Sequence, residues 1–240
     1  MPRKFRPPVD YHQSRFMQIS ESHCGPAAVQ MMLSNLGIEV SQEQVAEAGG
    51  VTSLITMNGM RIDQMALAVR QLAPQAVFYY KDHATITELV RIVTDYRHPV
   101  GVEWQGVFED EDAAQLDRAN KFYHPNKMVS AQPSTGTGQE GLERNGETEN
   151  TDYGHYSLVV HASRRRKEII IADPYKDFFS QARIFGFQEF ETRWYDYNEV
   201  IDPASGRAKL VEDYHLLFVI ARWNILFPKR MGLRTFESAS

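Results

Sequence analysis

The chain has 240 residues, 42% of them hydrophobic, and a formal net charge of −5 at pH 7. This length allows one large domain or two small ones, and the negative charge disfavours a nucleic-acid binder, which carries a basic face. The longest strongly apolar run, residues 216–221, is too short to span a bilayer, and no apolar segment follows the basic start to form a signal peptide. The single cysteine excludes an intramolecular disulfide framework and a cysteine-based zinc site, and favours a reducing, cytoplasmic compartment.

The first half of the chain is predicted to be mostly helical. Residues 1–12 are expected to form a disordered or loosely docked arm. Apolar residues at helical spacing predict a helix from Cys24 to Leu36, with Pro26 in its first turn and Gly37 as its stop. Capping-box patterns at 41–44 and 85–88 open two further helices, and another helix is predicted at about 60–72. Strands are predicted at 76–80 and 99–104.

The middle of the chain is polar and is predicted to be a flexible insertion at about 108–152. Residues 125–152 contain almost nothing apolar, so they cannot bury enough surface to become ordered. Within them, Gly136, Gly138 and Gly141 match the glycine spacing of dinucleotide-binding loops. No predicted strand precedes the pattern and no apolar helix follows it, so the match lacks the required context. The sequence therefore predicts no cofactor.

The last third is predicted to be rich in strands. Residues 155–162 and 168–173 are apolar and β-branched, and the basic residues 163–167 between them favour an exposed hairpin turn. In the aromatic segment 178–194, Phe187, Phe190 and Trp194 have helical spacing. A final strand is predicted at about 214–223. Helices followed by antiparallel strands favour an α+β fold, with one domain over residues 13–224 and a tail at 225–240.

Three residues have the types and positions needed for nucleophilic catalysis. Cys24 lies at or just before a helix N-terminus, which favours the thiolate. His155 begins one hairpin strand and Asp173 ends the other, so a tight hairpin brings them close together, with one imidazole nitrogen facing the carboxylate and the other facing Cys24. Each residue also has a purely structural interpretation, because cysteine is often buried and Asp173-Pro174 is a common strand end.

The blocks at residues 18–36, 154–160 and 171–174 resemble those of the bacteriocin-processing, double-glycine-leader cysteine peptidases, family thirty-nine of the cysteine peptidases. The resemblance implies a papain-like fold, in which an N-terminal helical part carries the nucleophile and packs on a C-terminal antiparallel sheet. It also implies that Cys24 is the nucleophile, His155 the base and acid, and Asp173 the orienting carboxylate. Gln18 matches the family glutamine whose amide joins the Cys24 backbone N–H in the oxyanion hole.

The resemblance implies a bacterial peptidase that hydrolyses a peptide or protein substrate, with cleavage after small residues such as a Gly-Gly leader. Composition and motifs predict no cofactor, metal, nucleic-acid partner or membrane insertion. Many relatives are fused to an ATP-driven exporter, so association with a separate exporter is a further expectation. One departure is His23, since the family usually has an acidic residue directly before the cysteine. Two alternatives remain: an acyl or peptidyl transferase of the same superfamily, and a catalytically inactive peptide-binding domain.

Overall fold

A computed structural model describes residues 15–51, 59–106, 154–180, 182–201 and 208–236. The predicted arm at residues 1–12, the insertion at about 108–152 and the glycine pattern at 136–141 lie outside these described residues. The boundaries predicted for the arm and the insertion therefore stay predictions.

The described segments begin with helices and continue with strands, as the α+β prediction requires. In chain order the elements are α1 Cys24–Asn35, α2 Gln42–Ala48, α3 Ile62–Leu72, β1 Ala76–Lys81, α4 Ile86–Arg91 with a π-helical turn Ile92–Tyr96, β2 Val100–Gln105, β3 Gly154–Ser163, β4 Glu168–Ala172, β5 Ala182–Gly186, α5 Phe187–Glu191, β6 Tyr195–Ile201, β7 Ala208–Tyr214, β8 Leu217–Arg222, a 3₁₀ turn Lys229–Met231 and β9 Arg234–Thr235.

The starts of α2 and α4 are fixed by local hydrogen bonds. Ser41 Oγ accepts from the Gln44 N–H at 3.2 Å, while Gln44 Oε1 accepts from the Ser41 N–H at 2.8 Å. Thr85 and Glu88 make the same reciprocal pair in front of α4. Each pair bonds two backbone N–H groups that a helix start would otherwise leave without partners. Both predicted capping boxes are confirmed.

Within the described residues, the main sheet has seven antiparallel strands in the order β5-β4-β3-β2-β8-β1-β9, and β6 pairs separately with β7. Alternate residues of β8 enter different cores, because successive side chains of a strand point to opposite faces. Phe218 and Ile220 pack with α1, α2 and α3. Leu217 and Val219 pack with α4 and α5 on the other face. The predicted α+β fold, with N-terminal helices on an antiparallel sheet, is confirmed.

The aromatic segment 178–194 differs from the prediction, because it divides into β5 and the short helix α5. Phe190 lies in the core that contains Leu217 and Val219, and Phe187 packs against it, as their helical spacing predicts. The strand ahead of them was not predicted. It exists because β5 pairs along its whole length with β4, a contact between segments that local sequence patterns do not reveal.

Residues 225–236, which the prediction places in a tail, pack against the sheet. Met231 is buried, and β9 pairs with β1 at its outer edge. The Phe236 ring stacks on Tyr80 with 4.1 Å between ring centroids. These contacts bury apolar side chains that would otherwise be exposed, so the packed part of the chain extends past the boundary predicted at residue 224.

Candidate active site

Cys24 is the first residue of α1 and is buried, with 7% of its surface exposed. The unbonded N–H groups of the first helical turn and the helix dipole together favour a negative charge at this end. The neighbouring Gly25 allows the turn to pack closely, since a Cβ there would lie 3.3 Å from Met60 Cβ. The predicted position of Cys24 at a helix start is confirmed.

The hairpin of β3 and β4 brings His155 and Asp173 together. Leu158 lies opposite Ala172 in the register of these strands, so Asp173, one residue beyond β4, comes near the start of β3. His155 Nε2 lies 2.7 Å from Asp173 Oδ1, and the two side chains are 3% and 0% exposed. The contact that the sequence predicts across the hairpin is therefore present.

The second partner of the imidazole is Cys24. Because Nε2 of His155 is bonded to Asp173, Nδ1 is the ring nitrogen that remains for the thiol. Burial lowers the pKa of His155, but the Asp173 carboxylate more than reverses this effect, and a hydrogen bond with Cys24 adds to the rise. The pKa of His155 is thereby raised to about 9. The imidazole is consequently a stronger base than that of a free histidine.

In the described part of the chain, both oxygens of the Asp173 carboxylate accept hydrogen bonds. Oδ1 accepts from His155 and also from the Tyr175 backbone N–H at 2.9 Å, while Oδ2 accepts from Arg183 Nη1. Burial raises the pKa of Asp173, but the cationic His155 and Arg183 beside it reverse the effect and hold this pKa well below its usual range. Asp173 is therefore an ionised, fixed acceptor for the imidazole.

Arg183 is the residue of this site that sequence reasoning missed. It lies on β5 opposite Ile171 of β4, and its side chain is 2% exposed. Its guanidinium carbon lies 3.9 Å from the centre of the Phe178 ring and 5.4 Å from the rings of Trp104 and Phe185. The available signal was a single arginine among apolar residues in a strand-like run. Without knowledge of β5, such an arginine is expected on the solvent side.

Gln18 lies in the loop that leads to α1, beside the end of β4. Its backbone N–H donates to the Pro174 carbonyl at 2.8 Å, and the residue is 7% exposed. Nε2 donates to the carbonyls of Ser20 at 2.9 Å and Glu21 at 3.1 Å. Both amide hydrogens are thus engaged within the loop, so in this conformation Gln18 fixes the path of the chain into Cys24.

The start of β3 is also held by β6. Asp196 Oδ1 accepts from Gln105 Nε2 at 3.0 Å and from the Tyr197 N–H at 2.8 Å. A Cβ on Gly154 would lie 2.2 Å from Asp196 Oδ2. A side chain at this position would therefore collide with the Asp196 carboxylate, and glycine lets this carboxylate lie directly against the residue before His155.

Across the described ranges, no group of three or more His, Cys, Asp and Glu side chains is arranged to hold a metal ion. Within the same ranges, no helix combines the length and apolar character needed to cross a membrane. The chemistry available at the site is that of a thiol, a basic imidazole and an ionised carboxylate in contact. Such a set can take a proton from sulfur and deliver it to another atom, as nucleophilic catalysis at a carbonyl requires.

The model of the Peptidase_C39 like family matches residues 11–201 of the chain. No curated protein matches the sequence. Among solved structures, the chain is similar to the peptidase domain of Streptococcus ComA, a bi-functional ABC transporter involved in a quorum-sensing pathway. That similarity covers 87% of this chain and 97% of the other at 15% identity, with a TM-score of 0.47. Because the family model covers most of the sequence, the chain belongs to the Peptidase_C39 like family.

Proposed function

We propose that the protein is a cysteine peptidase with Cys24 as nucleophile, His155 as general base and acid, and Asp173 as the residue that orients His155. The observation that carries the proposal is the buried His155–Asp173 pair, whose imidazole also interacts with Cys24, the single cysteine of the sequence. Membership of a peptidase-like family supports the same reaction class. A purely structural histidine has no need of both partners.

In the proposed reaction His155 holds the proton of Cys24, and the thiolate attacks the carbonyl carbon of the scissile peptide bond. A carbon–sulfur bond forms and the carbonyl oxygen becomes an oxyanion. When the carbon–nitrogen bond breaks, protonated His155 gives its proton to the leaving amine, which leaves an acyl thioester on Cys24. The now neutral His155 takes a proton from water, the resulting hydroxide attacks the thioester, and the released sulfur returns to its starting state.

The oxyanion needs donors within about 3 Å. The backbone N–H of Cys24 is one of the groups that the start of α1 leaves without a helical partner. Gln18 is proposed as the second donor. Its amide hydrogens bond to the carbonyls of Ser20 and Glu21, so donation to substrate requires one of them to turn away from its carbonyl when substrate binds.

The proposed substrate is a peptide or protein cleaved after small residues, of which a Gly-Gly leader is the type that the sequence resemblance implies. Association with a separate exporter and a cytoplasmic location are parts of the same proposal. The support for these finer points is the resemblance of the motifs around Cys24, His155 and Asp173. The geometry of the triad itself supports only the reaction class.

The direct test is cleavage of a complex peptide library, with products identified by mass spectrometry in water enriched in ¹⁸O. A peptidase gives products with new termini, adds ¹⁸O to the new carboxyl groups, and favours small residues before the cleaved bond. Cys24→Ala should abolish cleavage. New amide-linked products without ¹⁸O would identify a transferase instead. Intact peptides that bind the wild-type protein and Cys24→Ala equally would contradict the proposal and favour a binding domain.

A further inference from the structure

Arg183 is a buried cation that contacts the carboxylate of Asp173 directly. Its side chain is 2% exposed and donates to Asp173 Oδ2, the oxygen that His155 does not use. The rings of Phe178, Trp104 and Phe185 surround its guanidinium. Taking a cation out of water is costly unless its partner compensates for the lost hydration, so this contact needs a reason.

Charged and titratable groups from several elements lie around the site. Cys24 of α1 and Asp173 after β4 face His155, while Asp173 and the half-buried Glu189 of α5 face Arg183. Glu189 is held separately by a hydrogen bond from the Gly186 N–H. Beside His155, Tyr156 interacts with Glu103, Asp196 and Asp213, and its pKa is raised by burial and by these anions, so it stays neutral.

Counting charge over the four contacting residues shows what Arg183 adds. With a thiol and a neutral imidazole, the remaining charges are those of Asp173 and Arg183, which cancel. With a thiolate and an imidazolium, two negative and two positive charges cancel again. Without Arg183, each of these states would hold one uncompensated negative charge in a buried place, where such a charge is strongly disfavoured.

We infer that Arg183 is a positioning residue of the catalytic site, which fixes the Asp173 carboxylate and compensates its charge so that His155 can both take up and release a proton. The inference rests on the proposed function. Asp173 alone, buried and ionised, would hold a proton on His155 too firmly. Arg183 bonds the far oxygen of the carboxylate, shares its charge and weakens its pull on the imidazolium. The imidazolium can then lose its proton near the pH at which thioester hydrolysis needs a neutral imidazole as base.

The test follows the His155 imidazole directly, by its NMR chemical shift as a function of pH, with the His155→Ala spectrum to assign it. Arg183→Gln removes the charge but keeps a donor near Asp173, whereas Arg183→Lys keeps the charge and loses the planar fork. Phe185→Leu is the matched control, since it disturbs packing on the same face of β5 without changing charge. The measurement needs no substrate, so it stands apart from the question of whether the protein cleaves peptides.

In Arg183→Gln we expect the His155 titration to move toward alkaline pH by about one unit or more, because a neighbouring cation has been removed. Arg183→Lys and Phe185→Leu should titrate close to the wild type. A folded Arg183→Gln with an unchanged titration, or an equal shift in Phe185→Leu, would overturn the inference and leave Arg183 with a purely structural role. If Arg183→Gln does not fold, a displacement of about one unit in Arg183→Lys would overturn it as well.

Discussion

Two buried histidines flank Cys24, one in the loop before α1 and one in the sheet. Their surroundings shift their pKa values in opposite directions. His23 is 8% exposed, and burial lowers its pKa, which Glu43 only partly offsets. Its Nδ1 lies 2.5 Å from Ser20 Oγ, a neutral partner. His155 is 2% exposed, and Asp173 raises its pKa to about 9 in spite of burial.

Closeness to Cys24 in the sequence does not decide which histidine can act as its base. Burial disfavours the charged imidazole in both places, so the sign of the shift depends on the partner. An exposed carboxylate such as Glu43 is screened by water, whereas the buried Asp173 is not. The residue next to Cys24 in the chain is therefore the poor base, and the one 131 positions away is the strong base.

The largest expected effect is on peptide cleavage when each histidine is replaced in turn. His155→Ala removes the proposed base and should lower kcat by about 10⁶-fold, the loss typical of a catalytic histidine. His23→Asn is the matched variant, because Asn is a preferred N-cap residue and preserves the start of α1. It should retain activity within about tenfold, since no catalytic contact is removed. Comparable losses of kcat in the two variants would show that the two histidines do not differ in role.

The second prediction concerns the partner that makes the two histidines different. Asp173→Asn should leave the protein folded and reduce turnover by about 10⁴-fold, because an amide no longer holds the imidazole in the required tautomer. In the NMR titration His155 should lose its raised pKa and approach the behaviour of His23. Near-normal turnover with Asn would mean that Asp173 only ends the strand.

The third prediction concerns Gln18, in the loop before α1. Gln18→Ala should reduce kcat by about 10²–10³-fold if its amide reaches the oxyanion. Gln42→Ala is the control, because Gln42 also braces this loop, through bonds with the backbone of Met17 and Ile19. Equal losses in the two variants would show that Gln18 only holds the loop in place.

The smallest effect is on stability, and it has opposite signs for the two histidines. His155 has a folded pKa above its unfolded value of about 6.5, so its contribution is complete below pH 6.5 and is lost as the pH rises to about 9. The difference corresponds to about 3 kcal/mol. His23, with a lowered pKa, contributes instead a loss of stability as the pH falls. Urea unfolding at pH 6 and at pH 9.5 should show that the wild type has a lower free energy of unfolding at pH 9.5, whereas His155→Gln does not. Equal losses of stability in the two proteins would refute the prediction.

The sequence predicts those parts of the site that local signals specify. Pro26 and the apolar spacing after it place Cys24 at a helix start, and the apolar runs around the basic turn place His155 and Asp173 on one hairpin. Arg183 could not be found in this way. Its role depends on the pairing of β4 with β5 and on the rings around its guanidinium, which are long-range contacts. The β6–β7 pair was missed for the same reason, since nothing in its own residues marks the partner strand.

His155, and not the histidine beside Cys24, is proposed to activate the Cys24 thiol as a nucleophile. Iodoacetamide labelling as a function of pH measures this directly, because the chain has a single thiol. We expect rapid labelling of the wild type and of His23→Asn in mildly acidic buffer, and a shift of the labelling curve toward alkaline pH in His155→Ala. Labelling of the wild type only above about pH 8.5, as for an ordinary thiol, or a curve that His155→Ala leaves unmoved, would contradict it.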